Sequence, residues 1–141
     1  MYEIVSKFGI KEKLWQESID KHDVVYDEYD GVVFYRVTKK FGVLEKGAII
    51  TEEGVILDFP RIARILHLEN GLHKIYSHPF YVEEKVDGYN LRIVRIQGRV
   101  LAFSRGAYVC PFSTDRVTDF IDVKSVFDEN PGLIICGEFA G

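Results

Sequence analysis

The chain has 141 residues, 47% hydrophobic and 28% charged, with a net charge of −4 and an isoelectric point near 5.6. That length suits one ordinary domain with a real core, and ten Phe with eight Tyr exclude a disordered chain. Basic and acidic side chains number 11 against 13 before Glu83 and 7 against 9 from Glu83 onward, so no basic tail holds nucleic acid by bulk charge.

Residues 1–15, MYEIVSKFGIKEKLW, lack the apolar centre of a signal peptide. No apolar run approaches the roughly 20 residues that span a membrane. Cys110 and Cys136 have no Cys or His near them at metal spacing and read as buried free thiols. These features give the expectation of a cytoplasmic protein without a membrane partner and without a protein-built metal site.

In chain order, residues 10–22 predict a short helix with Ile10, Leu14 and Ile19 near one face. VVYDEYDGVVFYRV predicts a hairpin turning at Asp30-Gly31, because Asp-Gly tolerates the positive φ of a type I′ turn. GAIITEEGVILDF predicts a second hairpin near Glu53-Gly54. DFPRIARILHLENG predicts a helix capped by Asp58, with Pro60 in its first turn and Gly71 at its end. Ile62, Ile65, Leu66 and Ile75 would face a core there. Arg61 and Arg64 would form either a phosphate contact or a solvated face.

Strands return from Phe80. YNLRIVRI and VLAFSR flank a turn at Gln97-Gly98. STDRVTDFIDVKSVFDENP predicts one helix with Val117, Phe120, Ile121 and Phe127 inward, stopped by Asn130-Pro131. GLIICGEFAG predicts a final apolar strand. Helices between antiparallel hairpins make the class α+β, antiparallel sheets with packed helices.

The chemistry concentrates at EEKVDGYNLRI, Glu83 to Ile93. A free lysine amine is neutral in only about one molecule in 2,500 at pH 7, and a nucleophile must be neutral. Glu83, Glu84 and Asp87 favour the charged form of Lys85. That arrangement suits a lysine awaiting a nucleotide with its magnesium. It equally suits an exposed loop lysine paired with a carboxylate. Gly88 lets the backbone turn tightly and approach a ligand closely.

If Gln97-Gly98 is a two-residue hairpin loop, Ile96 faces Arg99, Leu91 faces Ser104 and Asn90 faces Arg105. Cross-strand partners share a sheet face, so Asn90 and Arg105 would project together beyond the lysine. Glu138 interrupts an otherwise uncharged strand and needs a donor. Ribose hydroxyls or Arg105 would supply one.

These residues resemble the covalent nucleotidyltransferase superfamily of ATP-dependent polynucleotide ligases and mRNA capping enzymes. Lys85-Val86-Asp87-Gly88 is similar to its K-x-D-G element, Ser104 to Ala107 to its S-R-G element, and Cys136 to Phe139 to the motif whose glutamate meets the ribose. Asn90 stands where DNA ligases and capping enzymes usually carry arginine. The run is most similar to archaeal-type, homodimeric ATP-dependent RNA ligases, strongly over about residues 55–141.

The resemblance implies the N-terminal half of a ligase/capping-enzyme fold. Residues 1–78 would form a β-rich module with helices, and residues 79–141 the first part of an adenylation domain. It implies ATP and Mg2+ as cofactors, RNA as partner, and Lys85 as the residue that takes AMP. Glu83 and Glu84 would border the adenine pocket, Asp87 would orient the loop, and Asn90, Arg105 and Glu138 would hold ribose or phosphate. Arg92 is left between a phosphate contact and solvent. The family's adenine-stacking aromatic, metal motif, last lysine motif and dimerisation segment lie downstream of the third matching motif, so the expectation for these residues alone is weak or no activity. A DNA ligase or capping relative, and an inactive nucleotide-binding fragment, are the alternatives.

Overall fold

A computed structural model of the chain describes residues 1–60, 71, 79, 81, 83–120 and 122–140. The predicted helix after Asp58, with Arg61, Arg64 and its core positions, falls mostly outside these residues. The chain opens with α1 (Tyr2–Ser6) and α2 (Glu12–Asp20). A four-stranded antiparallel sheet follows: β1 (Val24–Tyr29), β2 (Val32–Val37), β3 (Ile49–Ile50) and β4 (Val55–Ile56), in that order. A second sheet of β5 (Tyr89–Ile96), β6 (Arg99–Ser104) and β7 (Ile134–Phe139) has the order β6-β5-β7. Between β6 and β7 lie α3 (Pro111–Phe120) and α4 (Val123–Glu129).

Both two-residue turns form as their sequences require. Asp30 and Gly31 have φ of 49° and 78°, and Gln97 and Gly98 have 50° and 76°. Positive φ at both central residues is the type I′ signature, whose twist matches the flanking strands. The second turn sets Ile96 opposite Arg99 and carries the register to Leu91 opposite Ser104.

Strand alternation then divides the core into three layers. Val5, Trp15, Val24, Val37 and Ile50 pack α1 and α2 onto the outer face of the first sheet. Val32, Phe34 and Ile49 meet Val94, Ile96, Leu101 and Phe103 between the two sheets. Leu91, Ile93 and Ala102 meet Val117, Val123 and Phe127 under α3 and α4. The middle layer includes an edge-to-face pair of Phe34 and Phe103, 5.3 Å between centroids. The chain's two halves therefore share one apolar seam.

Three local expectations change. In α2, Trp15 and Ser18 are buried while Leu14 is 42% exposed, because the indole fills the space beside Tyr35 and Phe41. The predicted long helix is two: Asp122 accepts hydrogen bonds from the Ser125 backbone and hydroxyl and starts α4 afresh. Ile121 falls outside the described residues. The cysteines are not both buried. Cys110 is half-buried and Cys136 exposed, because β7 is an outer strand of its sheet.

The main surprise is Arg92. Neither a phosphate contact nor solvated, it is fully buried. Positions 92, 94 and 96 share one face of β5, so Arg92 points between the sheets beside Val94 and Ile96. Its guanidinium donates to the carbonyl of Gly47 at 2.8 Å and to that of Leu57, pairs with Asp58 at 3.8 Å, and lies 5.5 Å from the centroid of the Phe59 ring. Burial pushes its pKa down and Asp58 opposes the shift; a guanidinium remains charged through such changes.

Arg92 is thus a polar rivet between the segments at residues 47 and 57–59 and the centre of β5. Replacing it with alanine strands two carbonyls and a carboxylate in a partly dry seam. Arg92→Ala should lower unfolding stability by about 3 kcal/mol, read as a urea midpoint shift at constant slope. Arg92→Lys should recover only part of this, because an ammonium lacks the fork that reaches two carbonyls. A change under about 0.5 kcal/mol in Arg92→Ala would contradict the role.

Candidate active site around Lys85

The candidate residues gather where β5 begins. Residues 83–90 are exposed, and Lys85 lies four residues before the strand. Its amine is 3.6 Å from Asp87 and 3.8 Å from Glu138, with the side chain 79% exposed. Glu138 is delivered by β7, in which it pairs directly with Asn90. One carboxylate oxygen accepts the Gly88 backbone N–H at 2.8 Å, and the other accepts the Asn90 amide at 3.3 Å. Glu138 thus finds its donors in Gly88, Asn90 and Lys85.

Gly88 is required by contact. A Cβ there would stand 2.3 Å from the carbonyl oxygen of Phe139 and 3.1 Å from Cγ of Glu138. The close approach expected of this glycine is therefore to its own β7 backbone. It is the approach that brings the Glu138 carboxylate under the lysine.

Arg105 departs from its expected place. The ladder of β5 and β6 ends at Leu91 and Ser104. Gly106 and Ala107, with φ of 91° and 66°, then bend the chain. Ser104 closes the loop by donating its N–H to the carbonyl of Tyr108 at 2.8 Å. Arg105 therefore sits in a tight turn rather than as a ladder partner of Asn90. It lines a cleft of about 770 Å³ with Lys46, Leu57 and Phe59. The turn is held from the first sheet, where Arg36 lies 4.2 Å from the centroid of the Tyr108 ring and pairs with Asp27 at 2.7 Å. Glu83, Glu84 and Asp87 are exposed on the segment around the lysine.

Two features were missed in the sequence. One is the Asn90–Glu138 pair, since nothing local announces that β7 lies beside β5. The other is a polar cluster behind the site. The Tyr89 hydroxyl is 2.7 Å from Ser113 and 3.4 Å from Cys110. Burial pushes the Cys110 thiol up, but its hydrogen bonds with Ser113 and Tyr89 outweigh this and leave it below its ordinary value. Among the described residues no group of three or more His, Cys, Asp or Glu is placed to hold a metal ion, and no helix is long and apolar enough to cross a membrane.

Comparison with known proteins bears on the family and fold. Residues 78–141 match the RNA ligase family model. Two structures of an archaeal ATP-dependent RNA ligase, forms 1 and 2, superpose with TM-scores of 0.79 and 0.77 at 32% identity, over 96% of this chain and 37% of theirs. A candidate ATP-dependent DNA ligase from Aquifex aeolicus superposes with a TM-score of 0.77 at 41% identity, over 91% of this chain and 35% of its own. An uncharacterised protein of Methanocaldococcus jannaschii is 30% identical over 98% of this chain and 35% of its length. The chain thus spans a little over a third of these relatives. Its resemblance to archaeal ATP-dependent RNA ligases holds in sequence and in fold, and the α+β architecture of antiparallel sheets and packed helices is that of ATP-dependent ligases.

The contact at Gly88 yields a direct test. In Gly88→Ala the methyl group must push β7 away, which should lower stability by about 1–3 kcal/mol and speed amide exchange in β7. Unchanged exchange at Phe139 would show that the close approach does not fix Glu138.

Proposed function

We propose that this chain carries the nucleotide-attacking lysine of an ATP-dependent RNA ligase, and that the full-length protein joins an RNA 5′-phosphate to an RNA 3′-hydroxyl through a lysyl-AMP intermediate. The observation that carries the reading is the meeting of two separated sequence elements at one point: Lys85 Nζ stands 3.8 Å from Glu138, whose carboxylate also holds Gly88 and Asn90.

In this reading the neutral Lys85 amine attacks the α-phosphorus of ATP. A P–N bond forms, the bond to the β-phosphate oxygen breaks, pyrophosphate leaves, and the amine proton passes to water. An RNA 5′-phosphate oxygen then attacks the same phosphorus and displaces the lysine. Finally the 3′-hydroxyl attacks the 5′-phosphorus, and AMP leaves. Asp87 and Glu138 hold the resting ammonium and place its nitrogen at the mouth of the site. We assign Glu138 to the ribose, Asn90 and Arg105 to ribose or phosphate, Glu83 and Glu84 to the border of the adenine pocket, and Asp87 to orientation of the loop.

Magnesium fits as an ion carried in with the nucleotide. Mg2+ commonly binds through one or two carboxylates plus substrate phosphates, and Asp87 and Glu138 are the carboxylates nearest the amine. Bound there, it would neutralise phosphate charge. We place the reaction in the cytoplasm, where ATP and RNA occur together.

A DNA-joining reading has its own support in the 41% identity to the candidate DNA ligase; Asn90 favours RNA. The full-length protein with ATP and magnesium should seal 5′-phosphorylated RNA, and Lys85→Ala should reduce sealing below about one part in a thousand, as expected when a covalent nucleophile is removed. Sealing of DNA but not RNA ends would establish the second reading. Sealing that survives Lys85→Ala would reject both.

A further inference from the structure

A second feature includes Arg105, one of the residues assigned above to ribose or phosphate. The 770 Å³ cleft lies between the turn that carries Arg105 and the segments at residues 43–48 and 57–59. A volume of that order suits a ligand the size of a nucleotide. Its cations are Arg105 and Lys46, both exposed and neither with an anionic partner among the described residues. Its carboxylates are already engaged: Glu45 pairs with Lys40 at 2.6 Å and Asp58 with Arg92 at 3.8 Å. Among its described lining residues, the cleft thus presents two cations without a carboxylate partner and two carboxylates that are each paired with a cation outside it.

Its other wall is apolar and open. Val43 is 65% exposed and Leu57 60% exposed, and Phe59 completes that side. A bare phosphate ion would make no use of this wall, whereas a nucleobase would cover it. The rigidity suits recognition: Arg92 fixes Leu57 and Asp58 from β5, and Arg36 fixes the Arg105 turn through Tyr108. The cleft shares Arg105 with the proposed adenylate site, and apart from Arg105 and Gly106 its described lining comes from the first 59 residues. It is thus a neighbouring compartment.

We propose that this cleft binds the 5′-phosphorylated terminal nucleotide of an RNA strand, with the phosphate on Lys46 and Arg105 and the base against Val43, Leu57 and Phe59. The inference rests on the ligase reading for its choice of RNA, and it adds Lys46 as a substrate-binding residue. The phosphate would lie beside Arg105, which the ligase reading assigns to ribose or phosphate.

The test is binding of a fluorescent 5′-phosphorylated oligoribonucleotide to the 141-residue chain without ATP, followed by anisotropy. The 5′-hydroxyl oligomer should bind at least tenfold more weakly. Lys46→Ala should weaken the phosphorylated oligomer about tenfold, the loss of one charged hydrogen bond, and reduce the salt slope by about one. Lys13→Ala, an exposed lysine on α2, should change neither. Equal affinity for both oligomers, wild-type affinity in Lys46→Ala, or full displacement by stoichiometric ATP would overturn the proposal. Labelling of the full-length protein by ATP reads the ligase assignment separately, so binding without labelling would sink that assignment and leave the cleft standing.

Discussion

A backbone nitrogen and a carboxylate set the geometry on which the candidate site depends. Gly88 approaches β7 so closely that no side chain fits at its Cα, and its N–H donates to Glu138 at 2.8 Å. This contact joins residues fifty apart in sequence. It holds Glu138 where its second oxygen takes the Asn90 amide and where its charge faces the Lys85 amine. A half-buried carboxylate needs donors, and here the donors are Gly88, Asn90 and Lys85. The lysine stays exposed while its surroundings are fixed.

The rest of the fold serves this arrangement by holding two sheets together. Apolar contacts bind one end of the seam, through Phe34, Val94, Ile96 and Phe103. Farther along the same face of β5, Arg92 continues the seam with hydrogen bonds to the Gly47 and Leu57 carbonyls. Asn90 comes next on that face and pairs with Glu138 in the candidate site. One strand thus passes from apolar packing through a buried cation to surface chemistry at intervals of two residues. The first sheet contributes as well, since Arg36 stacks on Tyr108 and steadies the turn of Arg105.

Much of this was legible in the sequence for identifiable reasons. A two-residue turn at Gln97-Gly98 permits one register, and that register holds from Ile96–Arg99 to Leu91–Ser104. The order of the strands followed from local chemistry, whereas Gly88, expected to let the backbone approach a ligand, packs instead against the backbone of β7. What was not legible depended on contacts between distant segments. Both faces of β5 carry apolar residues, so alternation could not say which face would bury Arg92. Nothing in residues 132–141 states that their strand neighbours β5 on the side opposite β6. The sharp bend at Gly106 and Ala107 removed Arg105 from the ladder, because a strand pattern does not record where the strand stops. In α2, spacing alone could not choose between Leu14 and Trp15.

In the proposed reading the fold singles out Lys85 for covalent chemistry by placing its amine 3.8 Å from Glu138. Peptide mapping by tandem mass spectrometry after incubation of the full-length protein with ATP and magnesium reads this directly. Adenylate is expected on Lys85 alone, retained under alkaline conditions and lost in mild acid as a phosphoramidate. Adenylate on another lysine, or spread over several, would contradict it.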